Sequence, residues 1–248
     1  MLLGEPPRTQ FDLNFPLLGI PVRVHPLFWL VALILGPKNE SAGAVITWIM
    51  AVFASILIHE LGHALAMRAY GFQPWIVLHA MGGLTGCDRR YASRSKGADS
   101  LGQILISFAG PLAGFLLAAI LVLALMAAGH GHNVFFASPW GLRPEVQLPN
   151  EQIARLLNYI FFISVFWGLI NLLPIYPLDG GQISREILLR LSLGDGIRQS
   201  LLLSTFAAGA MAVFGWTAFK DLYIAMFFGY LAYSSFAALQ AYSGHYRG

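Results

Sequence analysis

Residues 55–71 read SILIHELGHALAMRAYG and place His59, Glu60 and His63 inside an otherwise apolar run. The run has helix-forming composition and closes on Gly71, with Pro74 just beyond, both stop signals. His59 and His63 are four residues apart, so their imidazoles stack on one helical face and can converge on one ion. Neutral imidazole suits zinc. Glu60 is poorly placed to share that vertex but can reach a water held by the ion and act as general base, the division of labour in a His-Glu-x-x-His hydrolase. A lone buried histidine is usually just hydrogen-bonded in a core. Three ionisable groups within five residues of an apolar helix are a different matter, because each costs a few kcal/mol in lipid unless partnered.

Composition supplies the lipid. The 248 residues are 57% hydrophobic and only 11% charged, with a mean hydropathy of +0.65. A soluble domain carries about 25% charged residues, so this chain has too little polar surface to coat a globule of its size. The net charge of +3 is small and the basic residues sit in short loops, which excludes a nucleic-acid stripe and reads instead as topology. The single cysteine, Cys87, excludes an intrachain disulfide framework and a thiolate cluster.

Apolar runs divide the chain into about six expected spans: residues 25–36, 41–71, 100–129, 153–181, 200–216 and 222–242. The first is short for a crossing and is expected to extend or tilt. The fourth breaks near Pro174 and Pro177, and an amphipathic piece, QISREILLRLSLG, follows it. Residues 75–87 have strand-like composition with a Gly82-Gly83 break and are expected to form a short strand or hairpin. The fold expected is an all-α polytopic membrane protein with that hairpin after the second helix, one embedded domain over residues 1–248.

Arg68, Arg89, Arg90, Arg94 and Lys96 follow the second span, and Arg185, Arg190 and Arg198 follow the fourth; the loop after the third holds only Arg143, with Arg155 at its far edge. The excess of positive charge places both termini in the cytoplasm. It also puts His59, Glu60 and His63 at the depth at which the fourth span breaks.

A catalytic zinc takes a third protein ligand and keeps one position open. His79, Asp88, Asp99, His130, His132 and Asp179 are the nearer candidates, with a few distant acids. Asp179 stands out in NLLPIYPLDGG, residues 171–181, where Pro174 and Pro177 interrupt the helix and Gly180 and Gly181 let the backbone turn tightly. Irregular backbone at membrane depth is tolerated only where protein or a water-filled cavity covers it.

HELGH in one span with NLLPIYPLDGG in a later one resembles the site-2 protease family of intramembrane zinc metalloproteases. FAGPLAGFLLA (108–118) and GGLTG (82–86) are similar to that family's intervening segments and VHPLFWL (24–30) to its first span, so the resemblance covers roughly residues 22–191. It implies that His59, His63 and Asp179 hold one zinc ion per chain and that Glu60 is the catalytic base. It implies a role for Asn171 in binding the substrate backbone or the developing oxyanion, with Pro174, Pro177, Gly180 and Gly181 as shaping residues. The implied substrate is a transmembrane protein, often a membrane-anchored regulator, cut at or near the membrane. Residues 129–150 are too few for a PDZ module, and no regulatory domain is expected after Tyr242. Substrate choice is therefore expected to lie in the core or in a partner protein, and the membrane is expected to be a bacterial one. The strand-like segment is expected to pair along one edge with the unwound substrate, Gly82 and Gly83 allowing close approach.

Two rival readings are an ion or metal transporter and a non-proteolytic membrane scaffold. A transporter is expected to show inverted repeats, and the sequence has none. A scaffold has no need of Glu60.

Overall fold

A computed structural model describes residues 5–38, 40–87, 99–130, 134–136, 144–146, 148–192 and 194–245. Asp88, His132, Arg89, Arg90, Arg94, Lys96, Arg143 and Arg247 lie outside the described residues. The chain divides into two compact units. The first holds residues 1–95 and 109–169, and the second residues 96–108 and 170–248.

The first unit is built on α2 (Ala42–Ala69) and a four-stranded sheet in the order β1 (Leu13–Leu17), β2 (Ile20–Val24), β3 (Pro74–His79), β4 (Gly82–Cys87). Ser41 caps α2 by accepting the Ala44 N–H at 3.3 Å. β1 and β2 form a hairpin through Leu18 and Gly19, whose φ values of 51° and 76° suit a turn that needs a left-handed backbone at both central positions. β2 pairs parallel with β3, and β3 pairs antiparallel with β4. Alternate residues Ile20, Val22 and Val24 of β2, with Ile76 and Leu78 of β3, turn one face of the sheet onto Ile56, Leu57 and Ala64 of α2. That buried face forms the core of the unit.

A parallel pair needs a crossover, and here it comprises α1 (Pro26–Ile34) followed by α2 itself. His25 ends the strand by donating its N–H to Leu78 O, and its Nδ1 then accepts the Leu27 N–H to cap α1. α1 runs back along α2: the Trp29 and Phe53 rings lie 5.2 Å apart, and Trp48 Nε1 donates to Ala32 O at 2.9 Å. Nine residues of helix cover only about 14 Å, less than half of a roughly 30 Å hydrocarbon core. The expected first span is therefore not a helical crossing. Strand β2 and helix α1 together accompany α2, and this is why its apolar run was short.

Among the described residues, five helices are long and apolar enough to cross a membrane: α2, α3 (Ser100–Ala127), α4 (Glu151–Asn171), α6 (Gly196–Phe219) and α7 (Leu222–His245, over Leu222–Ser243). The chain is a multi-pass membrane protein, mostly helical with a small sheet. Ile120, Leu123, Phe206, Val213 and Met226 are exposed in the isolated chain, as lipid-facing side chains are. A short antiparallel pair, β5 (Val134–Phe136) and β6 (Pro144–Val146), lies between α3 and α4. In the second unit α4 ends at Asn171, and the amphipathic α5 (Asp179–Leu191) begins at the aspartate itself, three residues earlier than its hydrophobic pattern suggests.

Strands β1, β2, β5 and β6 were not expected from the sequence, and beyond β1 and β2 the N-terminal segment is fixed by one buried cation. Arg23, its side chain 7% exposed, donates to Asp12 and Glu5 at 2.9 Å each and to Pro6 O at 3.0 Å. Burial alone would raise the Asp12 pKa, but hydrogen bonds from Thr9 and Arg23 lower it to about 2, from an ordinary 3.8. Protonation is thus disfavoured in the fold: the contribution of Asp12 is whole above pH 3.8 and is lost as pH falls toward 2. Asp12→Asn should lower the melting temperature at neutral pH and remove that acid-side component. Thermal unfolding of the detergent-solubilised chain against pH checks this; superposable profiles for the two proteins would contradict it.

Candidate metal centre

His59, Glu60 and His63 are all buried, at 2%, 5% and 7% exposure, and one ligand atom from each lies within 4.8 Å of the others. Among the described residues they form the one group of three or more His, Cys, Asp or Glu able to hold a metal ion. The Nε2 atoms of His59 and His63 are 3.3 Å apart, their rings nearly perpendicular at 78°. Two imidazoles bound tetrahedrally at about 2.0–2.1 Å place their nitrogens about 3.3–3.4 Å from each other. The donor pair fits zinc.

Glu60 is held from the sheet. Thr85 Oγ1 on β4 donates to Glu60 Oε2 at 2.7 Å and lies 3.1 Å from the Glu60 main-chain oxygen. Gly83, two residues back and on the same strand face, leaves the space that the Glu60 carboxylate occupies, since a Cβ there would overlap it. Gly82 likewise makes room for the Trp167 indole. The expectation that these glycines admit a substrate strand is corrected here: side chains of the protein itself fill both spaces. β3 is paired on both sides, and among the described residues no strand pairs with the outer edge of β4.

α3 positions the second histidine. A Cβ at Gly62 of α2 would overlap Ala109 O and crowd the Ala113 side chain of α3, and a Cβ at Gly110 would overlap the His63 imidazole. The small residues of HELGH and FAGPLAG therefore let two helices approach until one lies directly against a ligand ring. Thr85, Gly62 and Gly110 were missed as functional positions. The alternation of Gly83 and Thr85 along one strand face is the signal that carried the first, once the strand is docked on α2.

The remaining expected site residues stand in the second unit. Asn171 closes α4 and Asp179 opens α5, each buried at 8% exposure. Pro174 and Pro177 lie in the irregular turn between them, and Gly180 and Gly181 press against the backbone of Leu172, Leu173, Ile175 and Tyr176, where a Cβ would collide. Of the other ligand candidates, Asp99 accepts the Gly102 N–H at 2.9 Å and so caps α3, His79 Nδ1 accepts the Met81 N–H at 3.3 Å in the sheet, and His130 follows the C-terminal end of α3.

A buried His-Glu-x-x-His group on a helix long and apolar enough to cross a membrane is a donor set suited to one metal ion. The model of peptidase family M50 matches residues 47–214, more than half of the chain, and the chain belongs to that family. It is 29% identical over 178 residues to a zinc metalloprotease of Methanocaldococcus jannaschii, covering 70% of this chain and 44% of that protein. It is 30% identical over 219 residues to a protein of Synechocystis sp., covering 82% and 49%. The chain thus spans about half the length of the curated relatives it matches. Its fold is similar to that of the solved site-2 protease from Methanocaldococcus jannaschii, with a TM-score of 0.58 and 24% identity over 92% of this chain and 95% of that one.

An alanine methyl at position 110 meets the far end of a side chain rather than backbone, so the ring moves and the helices stay packed. Gly110→Ala should therefore weaken zinc binding by about tenfold or more, the usual effect of disturbing a group behind a ligand, with little loss of thermal stability. Chelator competition on the folded protein measures this. Unchanged affinity would show that α3 does not set the position of His63.

Proposed function

We propose that the chain is a zinc-dependent intramembrane endopeptidase in which the two units act as one catalytic domain. The observation that carries this is the buried His59–His63 pair with its nitrogens 3.3 Å apart and Glu60 fixed beside it, on a helix long and apolar enough to span a membrane. His59, His63 and Asp179 hold one zinc ion per chain, the aspartate assigned by the family motif and by its burial at the start of α5. Bound zinc supplies Lewis acidity, polarising the scissile carbonyl and acidifying water.

The chain's own residues do the rest. Glu60 takes the proton of the attacking water and passes it to the leaving amine, and the Thr85 hydroxyl holds its carboxylate in one orientation throughout. The Asn171 amide binds the substrate backbone or the developing oxyanion. The substrate is a transmembrane protein, such as a membrane-anchored regulator, whose helix must unwind because a helical peptide bond is shielded by its own hydrogen bonds. Unwound backbone needs new partners in lipid, and the outer edge of β4, the strand that carries Glu60's hydrogen-bond donor Thr85, offers them. A regulatory partner protein adds selectivity. The positive charges that follow α2 and α4 orient those ends to the cytoplasm, with residues 129–150 outside, in a bacterial membrane with both termini cytoplasmic.

Purified protein should cleave a membrane-embedded test substrate, whereas Glu60→Gln should not, although it retains zinc near one per chain because the base is not a ligand. Loss of zinc in that variant would overturn the role given to Glu60. Single prolines from Gly83 to Cys87 should reduce cleavage at alternate positions, those whose N–H faces the outer edge; a scan without alternation would leave β4 no part in substrate binding. Reporter fusions near Ser192 should read cytoplasmic and those near Gly141 external, and a cytoplasmic signal at Gly141 would invert the orientation.

A further inference from the structure

The turn between Asn171 and Asp179 makes three backbone hydrogen bonds of its own: Leu173 N–H to Ile170 O at 3.1 Å, Ile175 N–H to Leu173 O at 2.7 Å, and Leu178 N–H to Ile175 O at 2.8 Å. Tyr176 takes part in none of them. Its N–H donates instead to Ser204 Oγ on α6 at 2.8 Å, and its carbonyl accepts from Ser235 Oγ on α7 at a longer 3.4 Å. The two hydroxyls are 2.7 Å apart, and each serine is 1% exposed. With the Ser235 proton directed at Tyr176 O, the proton between the serines comes from Ser204. A Ser204 lone pair then faces the Tyr176 N–H. Each proton in the ring is used once.

Hydroxyls in apolar helices ordinarily bond back to their own helix, as Thr205 does to Leu201 O at 2.8 Å and Ser200 to Ile197 O at 2.8 Å. Ser204 and Ser235 instead close on the backbone of another segment. They meet there a need that the turn cannot meet alone, because a buried N–H or C=O without a partner is costly. The consequence reaches Asp179 through contact. Gly181, in the first turn of α5, lies so close to the Ile175–Tyr176 peptide that a Cβ would overlap Ile175 O and Tyr176 N. The peptide that the serines grip is the surface on which the aspartate's helix starts.

We propose that Ser204 and Ser235 are positioning residues which, by clamping Tyr176, fix the turn that presents Asp179 to the metal. The proposal rests on the assignment of Asp179 as a zinc ligand. Its test uses the purified full-length chain and two readouts, hydrogen exchange at the Tyr176 amide and zinc affinity by chelator competition. Ser204→Ala should accelerate exchange at Tyr176 at least about tenfold and weaken zinc binding by about tenfold. Ser235→Ala should act in the same direction, and the double variant should add little because one ring is broken in either case. Ser200→Ala, one turn away on α6, should change neither readout. Unchanged exchange in Ser204→Ala overturns the clamp. Faster exchange with unchanged zinc affinity, while Asp179→Ala loses zinc affinity, overturns the positioning role. If Asp179→Ala itself binds zinc as tightly as wild type, the ligand assignment fails and the positioning role falls with it, while exchange at Tyr176 still reports whether the clamp exists.

Discussion

The hydrogen bond from Thr85 to Glu60 ties a β-strand to the interior of a membrane-crossing helix. A strand at that depth has backbone groups that lipid does not satisfy, so it is tolerable only as part of a sheet. The sheet in turn accounts for the N-terminal hairpin, for the parallel pairing of β2 with β3, and for an α1 too short to cross by itself. The apolar face of that sheet packs on the stripe of α2 that includes Ile56 and Ala64, one turn to either side of Glu60. Folding energy and catalytic geometry therefore come from the same surface.

Glycines set how closely the elements around the site approach. Gly83 yields space to a carboxylate, Gly110 to an imidazole, and Gly62 to the carbonyl of Ala109. Helices in lipid gain little from hydrophobic contact and associate through packing and hydrogen bonds, so removing a side chain at three points is an economical way to immobilise two polar groups. The second unit uses the same means: Gly180 and Gly181 fold α5 onto its own preceding turn, and two serines hold that turn.

Much of this was legible in the sequence because it is local. α2 ends where Gly71 and Pro74 place its end, its start follows the Ser41 cap, and the His59–His63 spacing reads directly as a shared face. What was not legible depends on distant partners. β1 and β2 carry Pro16 and Pro21, which argue against strands, and β2 finds its parallel partner some fifty residues away across two helices. In GGLTG the alternation of Gly83 and Thr85 marks one strand face, but that this face serves Glu60 follows only from docking β4 on α2. The hydrophobic pattern starts α5 at its amphipathic residues, yet an aspartate in the first turn is favoured by the helix dipole, and the helix begins at Asp179.

His59 and His63 together bind one zinc ion on α2 in the function proposed here. X-ray absorption at the zinc edge of the purified, zinc-loaded chain tests it without a substrate. The expected spectrum has a nitrogen and oxygen shell at about 2.0–2.1 Å, with outer-shell scattering from two imidazoles, and no sulfur. A sulfur shell near about 2.3 Å, or scattering from a single imidazole, would contradict the claim.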